Sequence, residues 1–102
     1  MNQMIDLDDV LAIEGEAESE EDYYLSVQRA INSGTWGLQG SFGRTMMDAI
    51  SAGKCMLGER GARDYYGNYI PARDEVQAGT KGSPEFVEER CGADWLEMMK
   101  GA

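Results

Sequence analysis

Glycine returns at every third position from residue 34 to residue 43, at Gly34, Gly37, Gly40 and Gly43, and Trp36 and Leu38 sit inside that run. A flexible linker would be polar, so this stretch reads as a shaped loop that packs. The residues after it have helical spacing: Phe42, Met46, Ala49 and Ile50 recur at i, i+4, i+7 and i+8, and Gly53 is placed to stop the helix. Ser41 is the expected cap, with Thr45 as an alternative point of entry. Upstream, Ser19 precedes Glu20, Glu21 and Asp22, a cap followed by acids where the helix dipole favours them. Tyr24, Val27 and Ile31 form a stripe with Tyr23 and Ala30 beside it, and Asn32-Ser33-Gly34 is a stop. The spacing therefore predicts helices over 20–32 and 42–52, joined as a helical hairpin by a packed loop.

Around that hairpin the other elements are smaller. A short helix is expected over 6–13, capped by Asp6 with Asp9 behind it and stapled by Ile5 and Val10. Cys55-Met56-Leu57 reads as a short strand ended by Gly58. Tyr65-Tyr66 and Tyr69-Ile70 flank Gly67-Asn68, which predicts a β-hairpin over 63–71 with a two-residue turn and Pro71 just past it. One aromatic face of that hairpin is expected in the core, with an interface patch as the alternative. Ser83-Pro84-Glu85 is a helix start, and a helix over 84–99 is expected to break or kink at Gly92 and restart near Asp94. Met46-Met47 and Met98-Met99 should each send one side chain inward and one sideways, as core filling, with an adaptable docking surface as the alternative. The 102 residues suit a single domain. The fold class expected is α+β: a small, helix-dominated domain with a short β-hairpin. Its core is assigned to Leu11, Val27, Ile31, Trp36, Leu38, Phe42, Met46, Ile50, Phe86 and Trp95.

Charge is segregated. The net charge is −10, and residues 1–22 hold nine acids (Asp6, Asp8, Asp9, Glu14, Glu16, Glu18, Glu20, Glu21 and Asp22) and no Lys or Arg. Residues 23–102 hold ten acids and nine bases, a net of −1. An acidic end disfavours nucleic acid and anionic membrane as direct partners; it serves solubility on the simplest reading, and it also suits a basic protein surface. No apolar run is long enough for a membrane span, and the acidic start argues against a leader peptide.

Several chemistries drop out. The chain has no histidine, which removes imidazole ligands and histidine-based catalysis. Cys55 and Cys91 are far apart and read as two free buried thiols, so neither a zinc site nor any other metal is expected. No catalytic residues, no cofactor and no enzymatic activity are expected. Gly37 and Gly43 have five residues between them and are followed by Arg44, so the P-loop pattern is not met. Glycines before a helix start still make Gly40, Gly43, Arg44 and Thr45 a candidate anion or nucleotide site. The acids after Asp6 fail the EF-hand pattern, since Leu11 stands where glycine is required. Tyr65, Tyr66 and Tyr69, near Arg63 and Arg73, are a candidate partner-binding patch.

Ser33-Gly34, Trp36, Leu38-Gln39-Gly40-Ser41, Phe42 and Gly43-Arg44 together resemble a tryptophan, Leu-Gln-Gly-Ser, aromatic, Gly-Arg motif shared by small uncharacterised proteins of tailed bacteriophages. Residues 64–87 resemble text of the same sort. The resemblance implies a viral accessory protein acting in the cytoplasm of a host bacterium. Taken with the charge, it leads to an expected function in protein–protein interaction: an acidic face set against a basic host protein, in the manner of an anti-CRISPR or polymerase inhibitor. The alternatives are a virion structural or assembly component, or a homo-oligomer such as a dimer, and then a small-ligand binder at residues 40–45.

Overall fold

The computed structural model describes residue 15 and residues 18–37 and 40–102. The helix expected over 6–13 and the core assignments of Leu11 and Leu38 lie outside the described residues. The fold is helix-dominated α+β, with four α-helices and one two-stranded antiparallel sheet among the described residues.

Helix α1 spans Glu20–Asn32. Ser19 Oγ accepts from the Asp22 N–H at 3.1 Å, which is the cap expected from the sequence. Val27, Ala30 and Ile31 are buried on one face. Burying Val27 and Ile31 contributes about 1.5–3 kcal/mol each relative to leaving them exposed. The helix ends where the Ser33 N–H reaches the Arg29 carbonyl and the Gly34 N–H reaches that of Ile31. A 3-10 turn, Thr35–Gly37, comes next. Thr35 Oγ1 donates to the Ala30 carbonyl at 2.9 Å, and this folded-back turn carries Trp36 into the core.

Helix α2 spans Gly40–Ser51. It starts one residue before Ser41, so the loop is shorter than expected, and Gly40 and Gly43 belong to the helix. Phe42, Met46, Ala49 and Ile50 are buried as their spacing predicts. At the C-terminus the Lys54 N–H bonds to the Ala49 carbonyl and the Gly53 N–H to that of Ile50. This paired closure needs a left-handed residue, and Gly53 takes it with φ +76°.

The segment expected as a strand at 55–57 is buried but has no strand partner among the described residues. Its polar backbone is satisfied by side chains instead. Fully buried Gln28, on α1, accepts from the Met56 N–H at 2.9 Å and donates to the Met56 carbonyl at 2.9 Å, imitating one rung of a sheet. Arg73 Nε donates to the Leu57 carbonyl at 2.9 Å, and Leu57 N–H to that of Gly82 at 3.0 Å. With those groups paired, Met56 and Leu57 reach the core with both backbone N–H and C=O groups satisfied.

Strands β1 (Ala62–Arg63) and β2 (Tyr69–Ile70) pair with Ala62 opposite Ile70 and Arg63 opposite Tyr69. Pro71 comes directly after β2, as expected. Helix α3 spans Pro84–Cys91 and α4 spans Ala93–Lys100. Ser83 Oγ caps α3 by accepting from Phe86 N–H at 3.2 Å, and Gly92 breaks the pair. One hydrophobic cluster joins all of this: Val27, Ile31, Trp36, Phe42, Met46 and Ile50 from the first half, and Ile70, Val87, Leu96 and Met99 from the second. Trp95 is only half-buried and packs against that cluster rather than in it. Each methionine pair divides as expected: Met46 and Met99 are buried, while Met47 is exposed and Met98 half-buried.

Candidate functional site

The hairpin differs from its expected form, and the difference builds the site. Tyr65 and Tyr66 are not strand residues. They form the tip of a five-residue connection, 64–68, between β1 and β2. Asp64 organises it: its Oδ1 accepts from Tyr66 N–H at 2.9 Å and Asn68 N–H at 2.8 Å, and its carbonyl accepts from Gly67 N–H at 3.1 Å. An aspartate opening a turn with glycine three residues on is a familiar type I arrangement, and Gly67 holds φ +85°. Partial desolvation pushes the Asp64 carboxyl upward, but the bonds from Asn68, Tyr66 and Gly67 outweigh it and leave it below its ordinary range.

The aromatic face expected in the core therefore stands in solvent. Tyr65, Tyr66 and Tyr69 are 58%, 70% and 53% exposed, and buried Ile70, with half-buried Ala62 opposite it, carries the hairpin inward. Tyr69 is anchored: its hydroxyl donates to Glu75 Oε1 at 2.6 Å, and the Arg63 guanidinium carbon lies 5.9 Å from its ring centre. The hydrogen bond to Glu75 raises the Tyr69 phenol above its usual range. The Ala72 N–H, then Tyr69, lower Glu75 in turn. Tyr65 and Tyr66 meet each other edge to face, and neither hydroxyl has a partner among the described residues.

These two rings lean over a groove of about 200 Å³. Helix α2 supplies its other wall through Gly43, Arg44 and Met47, and Trp36 and Ile70 lie beneath. Positions 43 and 47 are one helical turn apart, so they share a face. Arg44 is exposed and makes no ion pair with any described residue. Two separate candidates in the sequence, the tyrosine patch and the Gly43-Arg44 segment, are thus parts of one surface. Gly40 is the first residue of α2, and Thr45 is half-buried. Sequence reasoning missed Trp36 and Asp64 as site residues, and offered Met47 as a docking residue only as an alternative to core filling. The Asp64-to-Gly67 spacing was the available signal for the loop. A second depression of about 340 Å³ beside Val76 and Pro84 is larger, but its cation is committed. Arg73 spends its guanidinium on Leu57 and Asn32, and burial lowers its pKa.

Of the nine acids singled out at the start, Asp6, Asp8, Asp9, Glu14 and Glu16 lie outside the described residues. Glu18, Glu21 and Asp22 are exposed at the start of α1. Glu20 turns to the body and meets Lys54 Nζ at 3.0 Å. Lys54 also lies 4.9 Å from the Trp95 ring centre and 5.7 Å from that of Tyr24. Trp95 Nε1 donates to the Lys54 carbonyl at 2.8 Å, which fixes the backbone of that lysine. Among the described residues no group of three or more carboxylates and thiols is gathered to hold a metal, and no helix is long and apolar enough to cross a membrane. No family model, no curated protein and no solved structure matches this chain.

Proposed function

We propose that this chain is a bacteriophage accessory protein that acts in the host cytoplasm by binding a host protein, not by catalysis. Its acid-rich end engages a basic, nucleic-acid-binding surface, as an anti-CRISPR or polymerase-inhibiting protein would. The observation that carries the reading is the state of the acids around the start of α1: Glu18, Glu21 and Asp22 face solvent, and Glu20 alone among these four pairs with a described base. Those charges remain available for steering a basic partner, which speeds association and makes it sensitive to salt. The resemblance of residues 33–44 to a motif of small phage proteins supports the viral origin.

The test is retention of a host protein from bacterial lysate on the immobilised chain, beside a variant carrying Glu18→Gln, Glu21→Gln and Asp22→Asn. The expected result is a partner with a basic surface that binds at low salt, is released as salt rises, and binds the variant more weakly. A partner indifferent to both changes overturns the acidic-end reading. Stoichiometric recovery of the chain in purified phage particles would replace it with a virion component.

A further inference from the structure

Independently of the acidic end, we propose that the groove between α2 and the hairpin loop docks a partner protein's segment. That segment places one large apolar side chain against Trp36, Met47, Tyr65 and Tyr66 and sets a neighbouring carboxylate on Arg44.

Size limits the occupant. About 200 Å³ exceeds the roughly 150 Å³ that admits benzene and falls short of the roughly 300 Å³ at which pockets begin to hold drug-sized molecules. One ring or branched aliphatic side chain fits. The walls suit it: tyrosine, methionine and arginine are enriched where partners anchor. Exposed Met47 and the two solvent-facing rings leave apolar surface that nothing in the described chain covers.

Charge selects what stands beside that anchor. The rim carries Asp64 and Arg44, but the Asp64 carboxylate is consumed by Tyr66 N–H, Asn68 N–H and the Asn68 amide at 2.9, 2.8 and 3.3 Å. Arg44 has no such partner among the described residues, so the charged group of the groove left to bind something is a guanidinium, in a chain of net charge −10. A guanidinium beside an apolar slot favours a carboxylate. The molecule contains the completed version of this arrangement, where Lys54 lies near Tyr24 and Trp95 and closes on Glu20. Nucleic acid fits less well, because one arginine is its only cation in the groove and the chain as a whole repels phosphate.

The test monitors the Trp36 indole N–H resonance in the unmodified chain, assigned by its persistence in Trp95→Phe. Blocked tripeptides Glu-Phe-Glu, Gln-Phe-Gln and Lys-Phe-Lys are titrated. Glu-Phe-Glu should shift Trp36 saturably, with Kd on the order of 1 mM. Gln-Phe-Gln should bind about threefold to fivefold more weakly, as expected for one exposed ion pair. Arg44→Gln should bring the two peptides to equal affinity, and Tyr65→Ala with Tyr66→Ala should remove saturation for both while the circular dichroism spectrum is unchanged. Equal or tighter binding of Lys-Phe-Lys, or a Trp36 signal silent to all three, overturns the proposal. So does displacement of Glu-Phe-Glu by oligothymidylate, which would assign the groove to nucleic acid. A Trp36 shift with protein concentration alone would give it to a second copy and overturn the proposal as well. None of these readouts involves Glu18, Glu21 or Asp22, so the acidic-end reading stands or falls separately.

Discussion

Two tyrosine pairs in this molecule begin from the same ingredients. Tyr23 and Tyr24 meet edge to face at 4.9 Å and 82°; Tyr65 and Tyr66 do so at 5.2 Å and 85°. Each pair has a tryptophan and a cation nearby: Trp95 and Lys54 for the first, Trp36 and Arg44 for the second. The first pair rides on a helix, and its lysine is held by its own backbone, by Glu20 and by the Trp95 ring. The second sits on a turn, with its hydroxyls and its arginine facing water. Residue types therefore do not separate a structural cluster from a docking surface. Whether the cation is already held does, because Lys54 is closed on Glu20 and has little left to offer a partner, while Arg44 has no described partner.

The largest expected effect tests how the closed cluster is held. Gln28 pins Met56, two residues after Lys54, and is completely buried. Gln28→Ala strands a buried N–H and a buried carbonyl, each costing about 1–3 kcal/mol, so a loss of about 3 kcal/mol is expected. For a domain of this size that is roughly 15 °C of Tm. Thermal denaturation checks it; a drop of a few degrees would mean that the segment under Lys54 holds itself.

Next in size is the direct contrast between the clusters. Trp95→Ala removes a half-buried ring and the bond to the Lys54 carbonyl, and should cost about 2 kcal/mol. Tyr65→Ala with Tyr66→Ala, at rings 58% and 70% exposed, should stay within about 0.5 kcal/mol. Urea denaturation of both variants measures it. Equal losses would erase the division into a structural and a docking cluster.

The sequence showed one half of this division more plainly than the other. Ser19, Gly53, Ser83-Pro84 and Gly92 act through bonds to near neighbours, so helix ends could be read directly. The buried stripe of α1 and α2 came from spacing alone. Nothing local says that Gln28 will pair with a backbone 28 positions away, nor that Lys54 will find Glu20. The hairpin misled for a different reason. β-favouring tyrosines on both sides of Gly67-Asn68 outvoted Asp64, yet its carboxylate captures two backbone N–H groups and moves the first strand back to Ala62–Arg63. The acids of the first turn of α1 were visible as charge, but only the fold shows that Glu20 among them turns to Lys54.

An effect confined to alkaline pH reads closure from within. Cys55 Sγ lies 3.5 Å from the Tyr24 carbonyl, beneath the closed cluster, and burial, with Cys91 adding, pushes its thiol up to about 12. The unfolded thiol ionises near 9, so above that pH the unfolded chain loses a proton that the folded chain keeps. Stability should be complete below pH 9 and fall between pH 9 and 12. Cys55→Ala should flatten that slope. Near neutral pH a thiol reagent should modify half-buried Cys91 first and reach Cys55 only on unfolding. Early modification of Cys55 would show that the Tyr24 end opens.

The smallest effect isolates the two cations. Lys54 and Glu20 are 29% and 63% exposed, so their pair is worth only about 0.5 kcal/mol, and the nearby rings add about as much. Lys54→Met keeps the stem over Trp95 and removes the charge; it should lower stability by about 1 kcal/mol or less, and less still in raised salt, where the pair is already screened. Arg44→Met removes a cation with no described partner, so stability should stay the same at either salt. The opposite order, a salt-dependent loss at Arg44 and none at Lys54, would mean that the groove is braced by its arginine. It would then have no unmet charge with which to select a partner.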